Sequence, residues 1–291
     1  MSAPTSAAAP PADAAAFCAD LVRNHDFARY ASTLFVPATE RRALLALYAF
    51  NTEIVRVRDQ VTQPLPGEIR LQWWTDMLSG HAHGGVEGNP VAAELVIAVR
   101  DYNLPVEPMS LLVEEHQFDL YNDPMPTMAA LEGYLTDTCA ALFGLGAQIV
   151  GPPSAAIDHL ARHAGLAQGI VQIIANLPRD ASHRQLFMPQ QLLQSHDSDV
   201  EDVFSGKETP KLRAVLDELA GEAREHLATA TSLLSEMPPP TRAVFLPLAV
   251  TRRDLAGLSR ADRNPFLPQP TSRLRTLWTL WRASRSREFT K

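Results

Sequence analysis

The sequence predicts an all-α protein, and three observations carry that prediction. Ala and Leu dominate the 291 residues, and runs of alternating Val, Ile and Thr are nearly absent. The period of two that marks a half-buried strand therefore has no support. Many of the 23 prolines, among them Pro37, Pro66, Pro90, Pro105, Pro153 and Pro189, fall at the edges of helix-period segments, where a missing N–H is tolerated. Two segments, 138–150 and 164–178, carry no charged side chain, as helices in the middle of a bundle do.

The Ala/Pro-rich start, residues 1–16, reads as a disordered tail. It lacks the basic start and continuous apolar run of a secretory signal. Helical patterns then cover 12–24 and 26–35, the second ending before Pro37. The pattern over 38–62 runs to the Pro66-Gly67 break, which opens 67–79 and its Trp-Trp pair. The Gly/His loop GHAHGG at 80–85 precedes 90–102, and Pro105 precedes 107–121. The turn NDPMP at 122–126 separates these from 127–150, and Gly151-Pro152-Pro153 separates that from 154–177. Residues 180–208, with the acidic run DSDVED, are the longest poorly helical stretch. The patterns 209–236, 239–258 and 271–284 follow, the first two divided by the prolines at 238–240. No repeat is visible and no linker is long enough to demand two domains. Residues 17–291 are expected to form a single domain.

A net charge of −7 argues against a nucleic-acid partner, which needs a basic footprint. Cys18 and Cys139 lie within helical patterns and make no disulfide framework, which fits a reducing, cytoplasmic compartment. No window reaches the roughly 18 apolar residues of a membrane span. Peripheral membrane contact stays open: in the last helix Leu274, Leu277, Trp278 and Trp281 make one stripe among Arg273, Arg275, Arg282, Arg285 and Arg287. Such a helix can lie on an anionic surface or cap the bundle with its tryptophans buried, and the cap is the preferred reading.

The most informative stretch is the helix 38–62. At 100° per residue Leu44, Tyr48, Asn51, Val55, Arg58, Asp59 and Thr62 share one side. Arg42, Glu53, Arg56 and Gln60 take the other, which is expected to be solvated. An unpaired buried charge is expensive, so a partner, a water-filled cavity or a ligand should face Asn51, Arg58 and Asp59. In the charge-free helix, Leu160, Ala164, Ala167, Val171 and Ile174 make the apolar face. Gly165, Gly169, Gln172 and Asn176 make a strip on the other side, continued by Asp180 if the helix persists past Pro178. That strip fits either close helix packing or a cavity wall.

Other constellations carry less. His159 and His163 are i,i+4 but lack a third ligand and the glutamate of HExxH, so a helix-surface pair is preferred. GLGAQ at 144–148 follows a helix rather than a strand, which rejects a dinucleotide fingerprint. No GxSxG elbow or phosphate-binding loop is present. Glu114, Glu115 and Asp119 read as a solvated face. Arg70, Trp73 and Trp74 are expected to seat the helix after Pro66-Gly67.

The segments TLFVPATERRALLALYAFN, RLQWW, MSLLVEEHQFDL, YLTDTCAALFGLGAQIVG and GLAQGIVQIIANLPRD…LFMP resemble, in that order, the squalene/phytoene synthase superfamily, from about residue 17 to the end. The resemblance implies the isoprenoid-synthase (terpenoid synthase) type helical bundle around a central cavity. Active members join two prenyl diphosphates head to head there with Mg²⁺. The metal is held by two aspartate-rich motifs facing each other, each with carboxylates near i,i+4 spacing. This sequence departs from the pattern at those motifs. Val55 and Asp59 stand where the first pair of aspartates belongs, with Arg56 and Arg58 between. In the second motif, one register places Ala175 and Arg179 at the ligand positions, and a shift by one places Asn176 and Asp180 there. Ser182, His183 and Arg184 follow where acids are expected. Asp119 matches an acidic position of the family, which gives it a cavity-edge alternative.

With its aspartates lost, the pattern NTEIVRVRDQV…GEIRLQWW resembles a divergent branch that includes the mitochondrial assembly factor for respiratory complex I (NADH dehydrogenase) and bacterial relatives. The resemblance implies a respiratory-complex assembly factor or an isoprenoid- or lipid-binding protein, with no cofactor and no metal expected. The alternative is an active Mg²⁺-dependent head-to-head prenyltransferase of isoprenoid, carotenoid or hopanoid biosynthesis, acting on farnesyl or geranylgeranyl diphosphate with Asp59 and Asp180 as residual ligands. A third reading is a scaffold with a filled core. Candidate cavity-lining or diphosphate-facing residues are Tyr48, Asn51, Val55, Arg58, Asp59, Gln168, Gln172, Asn176, Arg179 and Asp180.

Overall fold

Residues 13–81, 85, 86, 88–268 and 272–290 are described by a computed structural model, and among them every regular element is helical. Helices α1 (Asp13–His25), α2 (Phe27–Thr33), α3 (Ala38–Val55) and α4 (Val57–Gln60) come first, then α5 (Pro64–Leu78), α6 (Pro90–Tyr102) and α7 (Glu107–Glu115). A 3₁₀ turn (Phe118–Leu120) leads to α8 (Met128–Leu135), a π turn (Thr136–Ala140) and α9 (Ala141–Val150). The central α10 (Ala155–Ser182) precedes the short α11 (Gln190–Ser195) and α12 (Val200–Phe204). Last come α13 (Pro210–Leu234), α14 (Pro239–Val244), α15 (Pro247–Leu258), α16 (Arg273–Ser284) and α17 (Arg287–Thr290).

Local chemistry starts and stops these helices. The Asn89 side chain accepts from the N–H groups of Val91 and Ala92 with Pro90 at the first position, and Asn103, left-handed at φ 49°, ends α6. Ser154, Thr209 and Ser272 cap α10, α13 and α16 in the same way. Asp199 and Asp202 form a reciprocal capping box that starts α12, so the stretch 180–208 is more helical than its pattern suggests. The helix expected over 38–62 breaks at Arg56 into α3 and α4. The one expected over 239–258 divides before Pro247. Pro66 and Gly67, expected to be a break, sit in the first turn of α5, where proline is tolerated.

The helix expected to end at 177 runs on to Ser182 with Pro178 inside it. A proline there forfeits one backbone hydrogen bond and costs about 3 kcal/mol. The continuous buried row Leu160, Ala164, Ala167, Val171, Ile174, Leu177 and Ala181 offsets that cost, because α10 packs against α8, the π turn, α9, α13 and α15. Residues 13–16, where the expected tail and the helical pattern 12–24 overlap, are the start of α1. Residues 1–12 of that tail, and His83 of the Gly/His loop, lie outside the described residues.

Arg42 is exposed, as expected for a solvated face, and its guanidinium also grips the buried Glu94 of α6 with two bonds of 2.7 and 2.8 Å. One helix face differs from expectation. In α16 the body takes the arc of Thr276 and Leu280, so Trp278 and Trp281 are exposed rather than buried beneath a cap. Trp74 is buried as expected, edge-on to Phe50 at 5.2 Å.

The glycine end of the α10 strip is close packing. A Cβ on Gly165 would overlap the backbone N and Cα of Ala140 in the π turn, and one on Gly169 would overlap the Leu135 side chain. Gly165→Ala is therefore expected to destabilise by about 1–3 kcal/mol. Gly133→Ala in α8 meets nothing within 4 Å and is expected to stabilise by about 0.5–1 kcal/mol. Urea unfolding of the two variants checks the contrast, and equal effects would contradict this packing.

Candidate functional site

The C-terminal ends of α3, α4 and α10 meet beside the π turn and the 3₁₀ turn, and two spaces that share Arg58 and Asp119 as wall open there. An inner cavity of about 130 Å³ is lined by Asn51, Val55 and Arg58, by Asp119, Tyr134, Thr138 and Cys139, and by Gln172, Asn176, Asp180 and Phe187, with Arg29 at its back. An outer cleft of about 710 Å³ is lined by Arg58, Asp59, Thr62, Asp119, Tyr121, Arg179, His183 and Gln185. The amide end of the α10 strip is thus cavity wall. The register that matters is Asn176 with Asp180. Arg179 turns to the outer cleft.

Crossed ion pairs close the boundary between the two spaces. Arg58 of α4 binds Asp180 of α10 at 2.5 Å, with both side chains nearly buried. Arg179 of α10 binds Asp59 of α4 on the exposed side, and Arg58 lies 3.8 Å from Asp59. Arg58 also sits 5.2 Å above the Phe187 ring, a cation–π contact that replaces lost hydration. Burial works against the Arg58 charge, but Asp180, Asp119 and Asp59 outweigh it and hold the guanidinium more basic than usual. Burial also pushes the Asp180 carboxyl up, against the pull of Arg58.

Asp119, read from sequence as part of a solvated face, is buried instead. The α-helix ends at Glu115, and the 3₁₀ turn re-aims the carboxylate inward. Tyr134 donates to it at 2.9 Å. His116 approaches with Nε2 4.0 Å from its Oδ2. Because a carbonyl only accepts, the 2.7 Å contact of His116 Nδ1 with Leu112 O places a proton on Nδ1. Burial raises the Asp119 pKa, against His116, Arg58 and Tyr134. Burial and Asp119 together raise that of Tyr134 well above its ordinary value.

A second buried cation, Arg29, is absent from the sequence-based candidates. It bonds Asp26 at 2.8 Å and Gln168 at 2.5 Å and lies 5.7 Å from the rings of Tyr48 and Phe143. Tyr48 and Gln168, expected to face the cavity, therefore stand behind its wall and hold Arg29. Burial pushes the Tyr48 hydroxyl up to about 12. The i,i+3 spacing of Arg29 from the helix-capping Asp26 could have suggested their ion pair, but not its burial.

The donor set does not fit Mg²⁺. Such an ion wants octahedral oxygens, commonly one or two carboxylates with phosphate and water. Both candidate carboxylates are held by guanidinium groups, and Asp119 is held by Tyr134. A divalent ion about 4 Å from Arg58 would be repelled by about 8 kcal/mol at an effective dielectric near 20. Among the described residues no three His, Cys, Asp or Glu side chains are placed to share a metal. The His159–His163 pair gains a third imidazole, His226 of α13, but His163 meets His159 through Nε2 at 3.2 Å and His226 through Nδ1 at 2.9 Å. Those contacts use opposite sides of one ring, and none of the three lines either space.

A family model described as squalene/phytoene synthase matches residues 22–282. The NADH dehydrogenase (ubiquinone) complex I assembly factor 6 of Mus musculus is 30% identical over 252 residues, which cover 87% of this chain and 76% of that protein. The presqualene diphosphate synthase of Rhodopseudomonas palustris is 24% identical over 210 residues, covering 72% of this chain and 75% of that protein. A crystallised dehydrosqualene synthase in complex with ligand shares the fold at a TM-score of 0.78 and 14% identity, covering 93% of this chain and 96% of its own.

Two expectations follow from the site's electrostatics. Arg58→Met strands the Asp180 charge and is expected to cost about 3 kcal/mol, relieved when Asp180→Asn is added. Arg179→Met breaks an exposed pair and is expected to cost less than about 1 kcal/mol. Urea unfolding of the three variants compares them, and equal losses would contradict the assigned burial. For Asp119, the folded protein holds a proton that the unfolded chain has released, in the window above the ordinary value of 3.8. Stability attributable to this group falls as pH rises through that window. Asp119→Asn removes the slope, so its stability relative to the parent is expected to grow from about pH 4 upward and then level off. A pH-independent difference would show that Asp119 is not buried.

Proposed function

Because this chain belongs to the squalene/phytoene synthase family and yet holds its candidate ligands in ion pairs with its own arginines, we propose that it works without prenyl transfer, as an assembly factor for a respiratory NADH dehydrogenase. The crossed pairs of Arg58 with Asp180 and Arg179 with Asp59 carry this reading. They put two positive charges where an active member needs acceptor oxygens for Mg²⁺. Support also comes from the complex I assembly factor, at 30% identity over 87% of the chain.

The cavities bear on what such a protein could hold. The inner space of about 130 Å³ is below the roughly 300–1,000 Å³ of ordinary small-molecule sites. The outer cleft of about 710 Å³ falls within that range, and its arginines suit the anionic end of an isoprenoid- or lipid-like ligand. Such a ligand belongs to this proposal, as does a cytoplasmic location with access to a membrane surface. Among the described residues no helix is long and apolar enough to cross a membrane.

The alternative, an active Mg²⁺-dependent head-to-head prenyltransferase, draws on the 24% identity with presqualene diphosphate synthase. It requires both ion pairs to open and Asp59 and Asp180 to turn to a metal. One experiment separates the readings. Purified protein incubated with farnesyl or geranylgeranyl diphosphate and Mg²⁺ is expected to release no diphosphate above a boiled control. Deleting the gene is expected to lower the assembled NADH dehydrogenase in isolated membranes while isoprenoid products persist. Diphosphate release, or normal NADH dehydrogenase levels after deletion, would overturn the assembly reading.

A further inference from the structure

The C-terminal helix presents a face that the fold leaves uncovered. In α16 Leu274 is 78% exposed, Trp278 58% and Trp281 38%, whereas Thr276 and Leu280 are buried. At 100° per residue the exposed apolar side chains fall within one arc whose centre lies roughly 150° from that of the buried one. Arg275 and Arg282 border that arc on one side, whereas Arg273 lies next to the buried arc with its guanidinium 5.1 Å from the Phe27 ring. The two exposed indoles stack at 5.0 Å with 21° between their planes, and Arg285 lies 4.2 Å from the Trp281 ring. The outward surface is therefore a narrow apolar ridge with a guanidinium border along one side.

Charge singles out the same place. Residues 272–291 hold six basic side chains against one acid, Glu288, for a net +5 within a chain of −7. The rest of the chain is thus −12. Between α15 and the α16–α17 corner lies a cleft of about 450 Å³ bordered by Arg252, Trp278, Arg282, Arg287 and Glu288. Glu288 is engaged by Arg252 at 3.1 Å. No acidic partner holds Arg275, Arg282 or Arg287 among the described residues.

We propose that α16 docks this protein flat on an anionic membrane surface, with Leu274, Trp278 and Trp281 at the level of the headgroup–acyl boundary and the arginines on lipid phosphates. A ridge on the outward side of the helix needs no groove to receive it, and a plane satisfies it. Tryptophan suits that depth because its ring is apolar and its N–H reaches the wet layer. Arginine suits the flank because its stem lies along apolar surface while its head stays in water or on phosphate. The cleft beside Trp278 has room for one headgroup, with Arg282 and Arg287 free to hold its phosphate. This inference is independent of the assembly role.

Sedimentation of the full chain with extruded vesicles tests it. Binding is expected to vesicles of phosphatidylcholine with a third phosphatidylglycerol, and to be weak with phosphatidylcholine alone. It should fall as NaCl is raised from 50 to 500 mM, as screening requires. The triple variant Arg275→Gln, Arg282→Gln, Arg287→Gln is expected to lose about two orders of magnitude in partition, at about one kcal/mol per arginine. Trp278→Ser with Trp281→Ser is expected to lose at least tenfold. Because these side chains are exposed, unchanged circular dichroism and thermal midpoint are expected to accompany both losses. Equal binding to neutral and anionic vesicles, or undiminished binding by either variant, would overturn the proposal. Capture of the face by polyglutamate with no vesicle binding would overturn it in favour of an acidic protein partner.

Discussion

The rest of the site depends on one reciprocal contact: an Arg-Asp dipeptide on α4 clasping an Arg-Asp dipeptide on α10. Adjacent residues on a helix point about 100° apart, so each dipeptide sends one side chain inward and one outward. Arg58 and Asp180 meet on the inside, and Asp59 and Arg179 meet on the outside. The four charges sum to zero. Neither helix could bury its inner charge alone, because an isolated ion loses far more in desolvation than packing returns. The contact therefore fixes how close α4 and α10 approach and how much space remains between them.

Its consequence is a cavity whose charged groups are paired with one another or with neutral partners. Arg58 has Asp180, Arg29 has Asp26 and Gln168, and Asp119 has the Tyr134 hydroxyl. Among the described residues, the buried side-chain atoms left without a partner belong to Glu40, Arg242 and Arg263, and none of these lines the inner cavity. A site prepared for catalysis holds charged groups in wait for a substrate or metal, whereas here the charged groups have partners already. A ligand entering the inner space must displace a finished ion pair, and one resting in the outer cleft meets exposed charge already in place. The physics favours the outer cleft.

Much of this was legible in the sequence, and the exceptions have physical reasons. Asn51, Arg58 and Asp180 were readable because polar residues at helical spacing on a buried side demand partners. The strip from Gly165 to Asp180 was readable as a strip, but spacing does not distinguish packing from cavity wall, and it is both at different heights. Asp119 was misread because the helical period was carried across His116, where the chain changes to a 3₁₀ turn and rotates the carboxylate inward. Pro178 was taken as an end because local propensity says so, yet the buried apolar row of α10 prevails. Arg29 escaped because one arginine in a short helix has no period to betray its burial. For α16 the apolar stripe was identified correctly, but a helical wheel shows which residues share an arc, not which arc the body takes.

The uncovered face of α16 also resolves a contest between attraction and repulsion. The chain as a whole is acidic, and at long range an anionic surface repels it. Screening at physiological salt limits each charge to about 8 Å, roughly the reach of one helix diameter. With α16 against the surface, its arginines lie within that distance, and most of the acidic body lies beyond it. Local attraction then prevails over the larger but screened repulsion. In any other pose the acidic body is the part that approaches, so the same charges that weaken distant association select the one orientation in which α16 lies flat.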